Sequence, residues 1–342
     1  MLTAPNIFHS KIYKKVGALI VLFFLFLGVG FYAYTNSNYY TTHVVVGPKW
    51  VNQAQFAGMY VAQSKGIYKR QGLDVSFKEY DVETNQFEDL LSGNTDFALV
   101  SAEEFLESVS NGAPITAIAI IYQVSPYTVV SLAANNINTP ADFKGKILGN
   151  KGGKLESAIF YRLMLNSVGL TEKDVTVKNL GFDMHEYENL LTGTDVIGLY
   201  RTDQLYFFEQ SGHQYTLINP ENYGINGFND ILITRNDMIA SNPELVQAFV
   251  SSTIEGWEYA IANPKDAVDI TLEYVTNPNY LDVDYELFIL NKSIPLVKPD
   301  QNTRVGSMTF AQWNKLYSQL VQKGFLSADL DITKVYTTEF LR

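Results

Sequence analysis

The sequence predicts an α/β protein of two lobes, with the second lobe inserted into the first and one transmembrane helix ahead of both. Short apolar strands alternate with helices in two separate series. Two turn-rich stretches, 135–140 and 219–230, separate the series, so the chain passes between the lobes twice. An uncharged run of 19 residues at 16–34 precedes the first strand. The predicted segments are 1–35 for the membrane helix and its cytoplasmic tip, 36–134 plus 231–342 for lobe 1, and 135–230 for lobe 2.

The N-terminal apolar run has the length and the flanking charge of a membrane-spanning helix. At about 1.5 Å per residue it spans roughly 29 Å, close to one hydrocarbon core. Three lysines at positions 11, 14 and 15 precede it, so we expect that end to stay in the cytoplasm. A cleaved signal peptide is the alternative, but Phe31 and Ala33 make a poor cleavage site. The sequence therefore predicts a single-pass inner-membrane protein with a periplasmic, or otherwise extracytoplasmic, binding domain.

The first series begins with a strand at 43–46 that ends at Gly47-Pro48. A polar and aromatic loop follows it and leads into a helix that begins near Ala54. Open α/β sheets bind ligands at such places, because the first N–H groups of a helix are unpaired there. The series continues with strands at 73–77, 96–100, 115–122 and 128–134, and with helices at 84–91 and 102–109, the second capped by Ser101.

The second series alternates in the same way, and the chain then becomes helical. Its strands are predicted at 146–148, 175–179, 196–200 and 215–218, and its helices at 152–168, 185–191 and 203–210. A strand at 231–234 precedes helices at 243–262, 264–274, 283–290 and 310–323. Pro243 and Pro264 occupy first-turn positions, where a missing N–H costs nothing. A chain that crosses twice between lobes forms a hinge, and the cleft beside it is a natural ligand site.

Composition excludes several classes of function. The formal charge of −11 repels phosphate backbones, so nucleic acid is not an expected partner. The absence of cysteine excludes disulfides, cysteine-ligated metals and an acylated lipoprotein anchor. The four histidines are scattered, and none stands in an HExxH pair or beside a plausible nucleophile. We therefore predict no catalytic residue, no metal site and no cofactor.

Several ordered motifs between residue 44 and the C-terminus resemble one protein family. They read WVNQAQFAGMYVAQSKGIYKRQGL at 50–73, GNTDF at 93–97, NGAP at 111–114, TPADFKGK at 139–146, YRTDQ at 200–204, NYGI at 222–225 and NPELVQAF at 242–249. The family is the thiamine-precursor and sulfonate group of substrate-binding proteins of ABC transporters, and the branch that binds aminopyrimidine precursors of thiamine is the most similar. The resemblance implies a type II periplasmic-binding-protein fold.

The resemblance also implies a set of ligand-binding residues on both sides of the cleft. A planar heterocycle with exocyclic amines requires aromatic faces and a carboxylate acceptor. The positions that match on the first lobe and its loop are Trp50, Asn52, Gln55, Ser101 and Tyr122, and those opposite them are Tyr200, Asp203, Tyr223 and Asp230.

Asp203 is the expected amine acceptor, although the family more often has Glu in an Asn-Glu-Pro context there. This chain reads Thr-Asp-Gln, and the shorter carboxylate suits a slightly larger ligand or contact through water. Asp203 could alternatively be only a helix N-cap, and Tyr122 and Tyr223 could be core aromatics. Gly152, Gly153 and Lys154 open a helix and form an anion-binding candidate, for which an ordinary helix start is the alternative.

Three functional hypotheses follow from the resemblance. The first is capture of the solute for import through an ABC permease. The second is ligand sensing that acts on a separate membrane signalling partner, and we rank it lower because no second apolar span follows the binding module. The third is a pyrimidine phosphate synthase, which is similar in fold but depends on a cysteine-rich segment that this chain does not have.

Overall fold

The structure is a computed structural model that describes residues 41–81, 83, 85–151, 155–180 and 186–341. Its strands are β1 (Thr42–Gly47), β2 (Leu73–Phe77), β3 (Phe97–Val100), β4 (Ile115–Tyr122), β5 (Tyr127–Leu132), β6 (Ile147–Lys151), β7 (Thr176–Leu180), β8 (Val196–Tyr200), β9 (Tyr215–Ile218) and β10 (Asn229–Arg235). Its helices are α1 (Ala57–Ser64), α2 (Ile67–Arg70), α3 (Gln86–Ser92), α4 (Ala102–Ser110), α5 (Leu155–Ser167), α6 (Glu186–Thr192), α7 (Leu205–Ser211), α8 (Asn236–Ser241), α9 (Pro243–Ala262), α10 (Pro264–Thr271), α11 (Val283–Val297) and α12 (Phe310–Gln322).

Two mixed sheets form the centres of the two lobes. The first has the strand order β2-β1-β3-β10-β4, with β1 parallel to β2 and β3 and with β10 antiparallel to β3 and β4. The second has the order β7-β6-β8-β5-β9. The chain leaves the first sheet after β4 and returns to it with β10, so the second sheet is inserted as the two crossings predict.

The structure corrects the position of the first crossing. The sequence prediction counted residues 128–134 with lobe 1, but β5 lies in the second sheet and pairs antiparallel with β8 and β9. The crossing by sheet membership is therefore the short stretch 123–126, and the second crossing is 219–228. An apolar pattern predicts that a strand is buried, but it does not predict which strands are its neighbours. The sequence therefore could not assign residues 128–134 to the correct sheet.

Helices cover both faces of the first sheet. One face packs against α1, α9 and α11 in a core that includes Phe249, Trp257 and Tyr285. The core on the other face includes Phe105 and Trp313 and continues into the second lobe through Phe160. Helices α6 and α7 cover the opposite side of the second sheet. Within the described ranges, no helix is both long enough and apolar enough to cross a membrane; the predicted span at 16–34 lies outside them.

Helices α1 and α9 approach each other closely because each has a glycine at the contact. A Cβ added at Gly256 would lie 2.0 Å from the carbonyl oxygen of Gly58, and one added at Gly58 would lie 2.2 Å from the ring of Trp257. Real Cβ atoms do not approach other atoms so closely. The two glycines therefore set the distance between these helices, and the helices in turn support the loop at 48–53.

We expect Gly256→Ala to lower the free energy of unfolding by about 2 kcal/mol or more, because neither helix can move without disturbing the sheet. Urea denaturation would measure the change. Glu258→Ala is the matched control, since this side chain is exposed on the same helix and its loss should change stability by less than about 0.5 kcal/mol. Equal midpoints for the two variants would contradict the close packing described above.

Candidate functional site

The candidate site lies where the ends of strands from both sheets meet. The loop at 48–53 follows β1, and the first residues of β10 lie at the same edge because Ile231 pairs with Val100 at the end of β3. Tyr200 ends β8 and pairs with Tyr127 at the start of β5, beside the first crossing. Polar side chains at the strand ends of both lobes therefore lie together at one junction.

Lys49 connects the two lobes at this junction. It is only 8% exposed, and its Nζ donates to the hydroxyl of Tyr200 at 2.8 Å. The same ammonium donates to Asn229 Oδ1 at 2.5 Å and lies 3.6 Å from Asp230 Oδ1. Asn229 also donates to the Tyr200 hydroxyl, at 3.0 Å. A buried ammonium requires such partners, and one of them belongs to the second lobe.

Asp230 begins the return to the first sheet in an unusual backbone conformation. Its φ is +52°, in the left-handed region that few non-glycine residues adopt. Gln55 Nε2 donates to both carboxylate oxygens, at 3.1 and 2.9 Å, and the Asp230 N–H donates to Asn229 Oδ1 at 2.7 Å. These bonds, with Lys49, hold the strained residue in place.

Asp203 is bonded to protein donors from both lobes. Its Oδ1 accepts from the hydroxyl of Tyr285 on α11, and its Oδ2 accepts from the neighbouring Gln204 amide. Gln53 Nε2 of the first lobe lies 3.5 Å from the same Oδ2. Helix α7 begins at Leu205 with Gln204 at the N-cap position, so Asp203 is not the cap of this helix. The helix-cap alternative is therefore wrong.

Glu286 lies beneath the loop and has an unusual protonation state. It is completely buried on α11, and its Oε2 accepts from the backbone N–H of Ala54 at 2.6 Å. Burial, and after it the charges of Asp203 and Asp282, raises the pKa of Glu286 from 4.5 to about 8. The carboxyl is therefore mostly neutral at pH 7, and its Oε1 has no hydrogen-bond partner in the described part of the chain.

Gln53 supplies a second acceptor atom beside Asp203. Its Nε2 faces Gln55 Oε1 at 3.0 Å and Asp203 Oδ2, which fixes the orientation of the amide. Its Oε1 is buried, and no described residue bonds to it. Gln53 Oε1 and Glu286 Oε1 are thus two buried atoms without a described partner, the first on the residue before Ala54 and the second on the side chain that accepts from the Ala54 N–H.

The other predicted residues are placed differently. The ring of Trp50 packs on that of Tyr80, with centroids 5.3 Å apart at 43°. Asn52 accepts from the hydroxyl of Tyr60 at 2.9 Å. Ser101 caps α4 by accepting from the N–H of Glu104.

Of the predicted aromatics, Tyr122 lies in the core and Tyr223 is partly buried against it. Tyr122 is buried and its hydroxyl bonds to Ser293 at 2.6 Å, and Tyr223 packs against the core that includes Trp313. The anion-binding candidate formed by Gly152, Gly153 and Lys154 lies outside the described residues. Among the residues that are described, no group of acids and histidines is arranged to hold a metal ion.

The structure therefore brings together four predicted residues and adds several that the sequence analysis missed. The four are Gln55, Tyr200, Asp203 and Asp230, and the added ones are Lys49, Gln53, Asn229, Tyr285 and Glu286. A glutamate on the buried face of α11, in line with Leu290, Ser293 and Val297, was a signal in the sequence. Nothing local connected that helix to the loop.

Comparison with known proteins identifies the family. A family model described as NMT1/THI5 like matches residues 53–267. The chain belongs to the NMT1/THI5-like family. The resemblance seen in the sequence motifs is confirmed. A riboflavin-binding protein, RibY, from Chloroflexus aurantiacus is 27% identical over 87% of this chain and 86% of its own length. A formylaminopyrimidine-binding protein from Halalkalibacterium halodurans is 23% identical over 79% of this chain and 82% of its own length.

The fold is shared with solved periplasmic binding proteins. The aliphatic sulphonate binding protein SsuA from Escherichia coli has a TM-score of 0.67 at 13% identity and covers 86% of this chain and 91% of its own. The two-sheet α/β architecture is thus confirmed. Enzymes are also among the similar proteins: a 4-amino-5-hydroxymethyl-2-methylpyrimidine phosphate synthase from Aspergillus parasiticus is 26% identical over 85% of each chain.

Lys49→Met should lower the free energy of unfolding by about 3 kcal/mol, because it leaves the buried Asp230 carboxylate without its cation. The double variant Lys49→Met/Asp230→Asn should recover part of that loss. Urea denaturation of both single variants and the double variant gives the interaction free energy between Lys49 and Asp230, with the exposed Lys69→Met as the control. Strictly additive losses would show that Lys49 and Asp230 do not interact.

Glu286→Gln should remove part of the pH dependence of stability. The folded protein holds the Glu286 proton more tightly than the unfolded chain does, so the free energy of unfolding falls as the pH rises from about 5 to about 8. The variant should be similar to the parent at pH 5 and more stable by roughly 1–3 kcal/mol at pH 9. Urea denaturation across this range tests it, with the exposed Glu258→Gln as control; parallel curves would contradict the raised pKa.

Proposed function

We propose that the chain is an extracytoplasmic solute-binding protein that closes its two lobes on a small planar heterocycle and delivers it to an ABC permease. The observation that carries the proposal is the buried polar junction between the lobes, where side chains from both sheets meet at strand ends. Membership of the NMT1/THI5-like family supports it, since relatives of this chain are named for the heterocycles that they bind.

The best candidate for the ligand is an aminopyrimidine precursor of thiamine. The edge of an aminopyrimidine presents an N–H donor next to a ring nitrogen acceptor. Gln53 Oε1 is a buried acceptor without a described partner, and a neutral Glu286 offers a hydroxyl donor from Oε1. Donor and acceptor of the ligand edge would then meet an acceptor and a donor of the protein, which removes the cost of leaving these buried atoms unpaired.

Riboflavin is the second candidate. A relative that is 27% identical is named for riboflavin binding. The shorter carboxylate at Asp203, compared with the glutamate usual at this position, leaves more room in the cleft. The isoalloxazine ring also carries a pyrimidine-like edge, so the same two atoms suit both ligands and the size of the cleft decides between them.

The proposal also includes the position of the protein in the cell and its partners. We place the binding lobes outside the inner membrane on a single N-terminal helix, with an ABC permease as the partner. Trp50, Asn52, Ser101, Tyr122, Tyr223 and the 152–154 turn remain proposed ligand contacts, of lower rank than Gln53 and Glu286 because their contacts in the structure are to other protein groups or are not described. A synthase is less favoured, because the synthase depends on a cysteine-rich segment and this chain has no cysteine.

Calorimetric titration of the full-length protein with a formylaminopyrimidine, riboflavin and a sulfonate tests the ligand. We expect the pyrimidine to bind and Gln53→Met to weaken that binding by about tenfold or more, because the ligand amine loses its acceptor. Gln71→Met, at an exposed glutamine, is the matched control. Tight binding of riboflavin without the pyrimidine would assign the flavin instead, and binding of neither would refute a planar heterocycle.

Uptake by a strain that lacks the gene separates delivery from sensing. Loss of uptake of the ligand would support delivery to a permease. Unchanged uptake together with altered signalling would favour the sensing alternative, and formation of a pyrimidine product by the purified protein would favour the synthase.

A further inference from the structure

Asp203 is positioned to hold the two lobes together without the help of a ligand. It is 1% exposed and belongs to the second lobe, yet its Oδ1 accepts from Tyr285, and its Oδ2 lies within reach of Gln53, both of the first lobe. Its Oδ2 also accepts from Gln204 of its own lobe. Hydrogen bonds to an ionised carboxylate are stronger than bonds between neutral groups.

Aromatic side chains of the second lobe pack against the ring of Tyr285. Helix α7 of the second lobe packs on α11 of the first, with ring centroids 5.2 Å apart for Tyr206 and Tyr285 and 5.2 Å apart for Phe207 and Tyr285. Tyr206 also packs on Phe288 at 5.4 Å. Further along the same helix pair, Lys292 Nζ lies 3.5 Å from Glu209 Oε1. The Tyr285 ring is therefore held in place for the bond to Asp203.

We propose that the Tyr285–Asp203 hydrogen bond is a latch between the lobes, which sets how much of the protein is closed before any ligand binds. Tyr285 is a positioning residue in this role: it fixes Asp203 and the closed arrangement rather than contacting the solute. The inference rests on the proposed function in one respect, that the two lobes open and close.

The latch has a consequence for recognition. A protein donor already meets each carboxylate oxygen of Asp203, so a ligand gains little by presenting an amine to this group unless it displaces Tyr285 or an amide. Selectivity among ligands then depends on Gln53 Oε1 and Glu286 Oε1. The latch also favours binding in general, since the apparent affinity rises with the fraction of the protein that is already competent to bind.

The absence of cysteine allows the closed fraction to be measured directly. Leu91 on α3 and Leu191 on α6 are exposed, at 42% and 49%, and lie one in each lobe. Nitroxide labels on Leu91→Cys and Leu191→Cys report the distance between the lobes by pulsed electron resonance. The full-length protein is used without added solute, after unfolding and refolding to remove any bound molecule.

We expect a population at the closed distance in the parent and a closed-to-open ratio about tenfold lower in Tyr285→Phe, which keeps the ring and loses the donor. Tyr68→Phe is the matched control. It removes an equally buried hydroxyl that bonds to Thr253 at 2.7 Å within the first lobe, so it should change stability but not the distance. Asp203→Asn, which keeps an acceptor oxygen without the charge, should fall between parent and Tyr285→Phe.

The latch is refuted if Tyr285→Phe and the parent give the same distances, if Tyr68→Phe shifts them equally, or if the refolded parent shows only the open distance. Thermal melts confirm that each variant is folded, and Asp203→Asn provides the measurement if Tyr285→Phe does not fold. Because no solute is present, these outcomes are independent of the ligand titration, which alone decides the proposed function.

Discussion

The need to pair buried charges at the junction of the lobes constrains the whole structure. Lys49 lies in the loop after β1 and Asp230 at the start of β10, and each buried charge needs the other as a partner. The loop after β1, the end of β8 and the start of β10 must therefore meet at one point. The mixed sheet order, with β10 inserted between β3 and β4, brings them there. The junction is thus a structural requirement of the fold as well as the proposed ligand site.

Local patterns were sufficient to predict most of the fold and the part of the site that lies at strand ends. Gly47-Pro48 ends a strand, and the side chains that follow it have to lie at the edge of the sheet. The family resemblance, rather than this local reasoning, supplied Tyr200, Asp203 and Asp230 as residues of the cleft. The resemblance gave the residues but not their partners in the protein, because the partners of a carboxylate are set by contacts between segments far apart in the sequence.

The features that the sequence did not reveal all depend on long-range pairing. Strand β5 is apolar like the strands of either sheet, and only its bonds to β8 and β9 assign it to the second. Glu286 bonds to Ala54, 232 residues before it, and Tyr285 bonds to Asp203, 82 residues before it. A buried glutamate on an apolar helix face could have been noticed, since such a residue requires a partner.

An aspartate at position 203, where the family more often has a glutamate, allows ligand binding and lobe closure to use different side chains. A carboxylate one methylene shorter lies closer to its own backbone, where Gln204 and the opposing Tyr285 meet it. A glutamate would extend past these donors into the cleft and would need a donor from the ligand. With aspartate, the charge is used between the lobes, and Gln53 and the neutral Glu286 keep acceptor and donor positions for a solute. In the proposed latch, the charge of Asp203 therefore serves closure of the lobes and not binding of the ligand.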